Sequence, residues 1–438
     1  MNACLPIPWP ESLANEAFIR TLEELGLNTG CGAVGSDKWW RTISACGTPL
    51  ILSDGSGESL VTFIWRDQSG EAELSDTYQV YIEVEGHTPH PTRETTPMQR
   101  YGHSDVWFWQ THLPDDWQSS YRFLPAHVHQ LPPLQEGFRL PSDYALAVRN
   151  WWMLLSAQCS CADPLNLTPP HTDGWSKPLS ALYLPFADIS VVEQGLLEKP
   201  LPPRGKLHHW RWYNNLSGNE RDIWLYRSGQ LNFNEELPLV ILLDGQHWVQ
   251  QRGFFACIDQ ATAAAELAPA VYLLIDAVDS DQRSRDMACS PEFWLMLQQE
   301  LLPQARRLQH FSEAADKTII AGQNFGGLAA LYAALNWPQR FSAVLSQSGS
   351  FWWPDVHDVM RNGCLNKQLT PAGCRRCNMK AEIQIGSEEK NLNAVNFAMY
   401  KALQATGARI GFTQYRGGHD WLCWRSGLFK GLKNLLQE

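Results

Sequence analysis

The sequence predicts an α/β protein of two domains: an immunoglobulin-like β-sandwich, then an α/β domain on a mainly parallel sheet. Three observations carry this. Residues from about 35 to 130 hold runs that alternate in polarity at period two, separated by Gly, Asp and Pro turns. Beyond residue 206, short apolar β-type runs alternate with helical stretches, the pattern of a parallel sheet covered on both faces. Within that second part, Thr318–Trp337 joins a β-branched run to an Ala/Leu-rich helical run through a glycine-punctuated turn. A chain of 438 residues has room for both cores.

In chain order, Leu13, Ala17, Phe18 and Leu22 place a helix within the first 25 residues or so. Ser59–Trp65, Thr77–Val84, Val106–Thr111 and Ser120–Leu124 are the strands of the sandwich. Ser142–Leu155 reads as a helix capped by Ser142. Dense Pro and Gly from Lys199 to Gly205 mark a linker, giving expected domains at 1–170 and 206–438 with 171–205 between them. Strands follow at Asp222–Tyr226, Leu239–Leu243 and Val271–Ile275, the last leading into a polar loop, Asp276–Asp286. Ser290-Pro291 opens a helix that runs to Leu302. After Thr318–Trp337 come strands at Phe341–Leu345, Glu382–Ile385 and Ile410–Tyr415. A helix spans about 392–406, and a last one starts near Trp421.

Composition narrows the function. A net charge of −11 argues against general nucleic-acid binding and means that an anionic ligand needs a local basic pocket. Residues 1–17 contain no basic residue and no long apolar core, and no run approaches a membrane span, so a cytoplasmic location is expected. Eleven cysteines in that setting read as reduced thiols. Cys364, Cys374 and Cys377 with His357 have part of a zinc spacing but lack a second matching pair, so no metal is expected.

The turn after Thr318–Ile320 reads Gly322-Gln323-Asn324-Phe325-Gly326. Strand, sharp turn and helix form the setting of the nucleophile elbow, Gly-x-Ser-x-Gly in the α/β-hydrolases. Here the apex is Asn324, which tolerates positive φ but has no hydroxyl for a base to deprotonate. The N–H of Phe325 would be one oxyanion donor, and that of Gly245 or Gln246 the second. Gly417-Gly418-His419-Asp420 follows the strand at 410–415, where the histidine of such a site belongs. Its acid partner should follow the strand ending at Ile385: Glu388 and Glu389 are candidates, with Asp420 a third.

The chain resembles the enterobactin (enterochelin) esterases of siderophore-iron release over nearly its whole length. The resemblance rests on the tryptophan-rich N-terminal part, Asp163-Pro-Leu-Asn166, Leu243-Asp-Gly245, Ile275-Asp-Ala277 and Arg283. It continues through Phe293–Pro303, Gly322–Ala329, Leu345-Ser-Gln-Ser-Gly-Ser350, Trp352-Trp353-Pro354 and Gly417–Asp420. It implies serine where this chain has Asn324, with Glu389 as the acid and His419 as the base. It further implies hydrolysis of the serine trilactone of ferric enterobactin or a related catecholate in the cytoplasm. Iron would arrive inside the substrate, with no resident cofactor.

A ferric tris-catecholate is a trianion. Arg283, Arg285 and Arg425 are the candidates to meet it, each equally readable as a surface ion-pair partner. Trp248, Phe351, Trp352 and Trp353 could stack on catechol rings or pack as core beside the elbow. Two functions remain open: an esterase impaired at its nucleophile, or a ferric-siderophore binding protein that abandoned catalysis. Deamidation of Asn324 to an aspartate nucleophile is disfavoured because the bulky Phe325 follows it.

Overall fold

The computed structural model describes residues 11–172, 177–189, 202–216, 218–229, 236–251, 253–355, 363–369 and 378–437. They fall into two compact units, Met1–Asp188 and Ile189–Glu438.

The first unit begins with helices α1 (Glu11–Glu24) and α2 (Asp37–Cys46). Ser36 caps α2 by accepting the Trp39 N–H, and Trp39, Trp40 and Ile43 are buried at helical spacing. This helix lies where period-two structure was expected to begin. Its three buried apolar positions decide the matter over so short a segment. Strands follow at β1 (Leu50–Ser53), β2 (Glu58–Arg66), β3 (Thr77–Val84), β4 (Gln99–Arg100), β5 (Val106–Pro114) and β6 (Gln118–His127). Helix α3 (Pro141–Cys159) and strand β7 (Ser180–Tyr183) complete the unit.

The strands form antiparallel sheets ordered β1-β2-β5-β4 and β3-β6-β7. Alternate residues of both sheets, including Val61, Phe63 and Trp65 against Val80, Ile82, Val84 and Phe123, share one core, so this is a sandwich. Helix α3 starts at Pro141 after Leu140, so Ser142 lies inside its first turn and is not the cap. Strand β7 lies inside the expected linker 171–205, because its apolar residues pair with β6. The Asp163–Asn166 turn is structural: Asp163 accepts hydrogen bonds from Thr48 Oγ1 (2.8 Å) and Tyr121 OH (2.7 Å).

The second unit opens with a hairpin, β8 (Leu207–Asn214) and β9 (Asn219–Arg227), followed by β10 (Leu239–Leu242), α4 (Gly245–Gln250), α5 (Phe254–Ala263) and β11 (Val271–Ile275). Then come α6 (Ser280–Met287), α7 (Pro291–Met296), a π turn (Leu297–Leu301), α8 (Leu302–Leu308), β12 (Thr318–Gln323) and α9 (Phe325–Asn336). The chain ends with β13 (Ala343–Gln347), α10 (Cys364–Gln368), β14 (Lys380–Gly386), α11 (Lys390–Ala405), β15 (Arg409–Tyr415) and α12 (Trp421–Leu436). The sheet runs β15-β14-β13-β12-β10-β11-β9-β8, parallel from β15 to β11 and antiparallel at the β9 and β8 end.

Successive residues of β10 serve opposite faces. Leu239 and Ile241 pack with α7–α9, whereas Val240 and Leu242 pack with α5 and α12. Strand β8 was not foreseen; its alternating Leu-His-His-Trp-Arg-Trp sequence adjoins the proline-rich stretch that obscures it. The expected loop Asp276–Asp286 contains most of α6, which has little apolar periodicity but is started by Asp279 accepting the Gln282 N–H at 2.7 Å.

Candidate active site

The carboxyl ends of β12, β13, β14 and β15 converge on the turn between β12 and α9. At its apex Asn324 has φ 55° and ψ −116°, a strained conformation for a residue other than glycine. A Cβ on Gly322 would fall 2.3 Å from the Gly326 carbonyl carbon, so this glycine is obligatory. At Gly326 a Cβ would make only ordinary contacts, the nearest 3.5 Å away. At Gly327 it would lie 2.5 Å from Ser346 Oγ. The two glycines the turn cannot replace are therefore 322 and 327, rather than the 322 and 326 of the sequence motif.

The Asn324 carboxamide bridges the site. Its oxygen accepts the Phe325 N–H (2.6 Å) and the Ser350 hydroxyl (2.9 Å), while its nitrogen lies 2.9 Å from His419 Nε2. The backbone donor settles which end of the amide is oxygen, and the nitrogen then donates to the imidazole. On the other side of the ring, His419 Nδ1 lies 2.6 Å from Glu389 Oε2. Glu389 Oε1 accepts the Ser348 hydroxyl (2.6 Å) and the Gly386 N–H (2.8 Å), and Ser348 accepts the Trp424 indole N–H (2.9 Å). Trp424 also meets the His419 ring edge to face, 4.6 Å between centroids.

Burial would raise the Glu389 carboxyl, but the bonds to His419, its charge, Ser348 and Gly386 outweigh burial and hold it below the ordinary range. An ionised Glu389 keeps the proton of His419 on Nδ1, leaving the Nε2 lone pair aimed at the apex.

Beneath the site, buried glutamines link the strand ends. Gln323 donates to Gln347, Gln347 to Gln384 and the Trp424 carbonyl, and Gln384 to the Gly427 carbonyl, each within 2.9 Å. This network ties β12, β13 and β14 to α12, the helix that follows His419.

Of the residues expected at the site, Asn324, Phe325, Glu389 and His419 come together. Gly245 starts α4 beside β11, where a Cβ would lie 2.5 Å from the Ile275 nitrogen, and Gln246 accepts the Ala277 N–H at 3.0 Å. Trp352 and Trp353 are half-buried and meet Phe325 edge to face at 5.8 and 5.4 Å. Trp248 is fully buried against Phe254 and Trp421, so it is core and has no open face for a ring. Phe351 is likewise buried.

Arg283, expected to meet an anion, instead forms a bidentate pair with fully buried Asp244 (2.6 and 2.8 Å) and donates to the Gln323 carbonyl (3.2 Å). Its charge is thus matched inside the protein and braces the elbow strand. Burial opposes the Arg283 charge, but Asp244 more than offsets it and raises the pKa. Arg285 is exposed and held by the neutral Gln282 carboxamide, and Arg425 is half-buried near the start of α12. Glu388 accepts from the Ser387 hydroxyl, and Asp420 accepts the Leu422 N–H to cap α12, leaving Glu389 as the acid on His419.

Sequence reasoning missed Ser348 and Ser350 as site residues. The signal available was Ser-Gln-Ser-Gly-Ser at the carboxyl end of a central strand, with Ser348 at φ 50°. Cys364 Sγ lies 3.9 Å from Cys289 Sγ; His357, Cys374 and Cys377 lie outside the described residues. Among the described residues no three His, Cys, Asp or Glu side chains are grouped to hold a metal ion.

The sheet order, the elbow and the carboxylate–histidine pair are those of an α/β-hydrolase domain. Residues 60–190 match the family "Enterochelin esterase, N-terminal", and residues 218–435 match "Putative esterase". The chain is 39% identical over 416 residues to the iron(III) enterobactin esterase of Dickeya dadantii (strain 3937), covering 92% of this chain and 93% of that one. The ferric enterobactin esterase structure from Salmonella typhimurium superposes with a TM-score of 0.82 at 37% identity, covering 92% and 99% of the two chains. The Shigella flexneri enzyme, solved in the presence of enterobactin, gives 0.79 at 37% identity and the same coverage. The chain belongs to the enterobactin esterase family.

Proposed function

We propose that this chain binds a ferric catecholate siderophore such as ferric enterobactin in the cytoplasm, and that Asn324 impairs its hydrolysis of the trilactone esters. The observation that carries this reading is the Asn324 carboxamide, which spans from the Phe325 N–H to His419 Nε2 in a site otherwise equipped for ester cleavage. The family relation supports the substrate class, and iron enters as part of that substrate with no resident cofactor. With serine at the apex, His419 would take the hydroxyl proton, Glu389 would stabilise the imidazolium, and the Phe325 N–H would receive the oxyanion. Asparagine has no such proton and occupies the oxyanion donor itself, so only residual catalysis remains.

The test compares the chain with Asn324→Ser. Ferric enterobactin binding, read by tryptophan quenching, should be similar for both. Release of dihydroxybenzoyl-serine, read by chromatography, should rise by roughly three or more powers of ten in the variant. A non-catalytic siderophore-binding protein is the second reading, favoured by the three hydrogen bonds that hold the Asn324 carboxamide in place. It replaces the first if Asn324→Ser binds substrate and stays inert.

A further inference from the structure

We propose that the site hydrolyses its own Asn324 side chain, converting it to aspartate and releasing ammonia. The carboxamide is placed as the substrate of an amidase would be. Its carbonyl oxygen holds two donors, the Phe325 N–H at 2.6 Å and the Ser350 hydroxyl at 2.9 Å, the arrangement that stabilises a tetrahedral oxyanion. Its nitrogen, the leaving group, lies 2.9 Å from His419 Nε2, and Glu389 holds the other ring nitrogen at 2.6 Å. Asn324 is half-buried and the His419 side chain is 33% exposed, so the site is not sealed from solvent.

The step balances without a redox change. One water adds its oxygen to the Asn324 carboxamide carbon and, as the Asn324 N–H bond to Nε2 opens, gives a proton to His419 Nε2. The amide nitrogen loses conjugation in the tetrahedral intermediate, becomes basic and takes that proton from the imidazolium. The carbon–nitrogen bond breaks, ammonia leaves, and the carboxyl group gives up its proton to solvent.

This route differs from ordinary deamidation, in which the following backbone nitrogen closes a ring on the side chain. The Phe325 nitrogen points its hydrogen at the carboxamide oxygen and opens α9, so ring closure would require breaking the helix start. Bulk at residue 325, which disfavours ring closure, has no bearing on attack by water.

The inference rests on the proposed roles of His419 and Glu389, and its test separates the two. Freshly purified protein is incubated near neutral pH and sampled over time by peptide mass mapping. The sequence supplies an internal clock in Asn362-Gly363, a dipeptide suited to ring closure. The Asn324 peptide should gain the single mass unit of aspartate with no isoaspartate. His419→Ala should slow this about a hundredfold, and Ser350→Ala about tenfold, with Asn362 unaffected. Circular dichroism establishes that each variant is folded. Conversion at an undiminished rate in both variants, isoaspartate at 324, or an intact Asn324 while Asn362 converts would each overturn the proposal. If Asn324 stays intact and Asn324→Ser hydrolyses siderophore, self-hydrolysis fails and the esterase reading stands. If Asn324→Ser is inert, the esterase reading fails by itself.

Discussion

The two halves of the site, on either side of the His419 ring, differ in kind. On one side Glu389 accepts His419, Ser348 and the Gly386 N–H, and Trp424 secures Ser348: every group serves the protonation state of the ring. On the other side the chain fills its own reaction space, with Asn324 occupying the backbone donor and the histidine lone pair together. The Glu389 side of the ring is thus fixed by a chain of hydrogen bonds, while the Asn324 side is filled by a single carboxamide. That contrast teaches that the carboxylate–histidine pair is held by contacts of its own and meets Asn324 through His419 Nε2. The glutamine network and the elbow glycines belong to the strand ends beneath the apex.

The sharpest way to break the comparison is to restore the apex and then remove the base. In an Asn324→Ser background, His419→Ala should cost roughly six powers of ten in kcat, measured as ester release from ferric enterobactin. Glu389→Gln in the same background should cost about two powers of ten less, since it misorients the ring without removing it. Equal losses would mean that the acid does more than hold the tautomer.

Next in size is Arg283→Ala, which strands the buried Asp244 charge. It should lower stability to urea by about 3–5 kcal/mol. Asp244→Asn added to it should recover part of that loss, whereas a role confined to anion binding would leave the urea midpoint unchanged. Gly322→Ala should cost about 1–3 kcal/mol by forcing a Cβ onto the Gly326 backbone, with Gly326→Ala nearly neutral.

The smallest effect is a pH dependence. Glu389 titrates below its ordinary value of 4.5 in the folded chain, so its contribution to stability is fully present above that value. It is lost as pH falls through the depressed folded value. Glu389→Gln should therefore show a shallower fall of the urea midpoint on acidification below 4.5. An identical acid limb would assign that fall to other carboxylates.

Much of this was legible because it is local. The β12–turn–α9 unit announces itself through β-branched residues, glycines and an alanine-rich helix, and the loops after β14 and β15 follow from counting strands. That counting put His419 opposite Asn324 and left Glu388, Glu389 and Asp420 as candidate acids, which the family resemblance narrowed to Glu389. The sequence by itself determined the two-domain architecture, the elbow and the asparagine at its apex, because backbone propensity and side-chain chemistry are properties of neighbouring residues. Tertiary structure alone decided that Arg283 answers Asp244 across 39 residues, that Trp248 is core, and that Ser348 and Ser350 attend Glu389 and Asn324. A charge, a ring or a hydroxyl takes its role from whatever the sheet order brings beside it, and partners distant in sequence leave no periodicity to read.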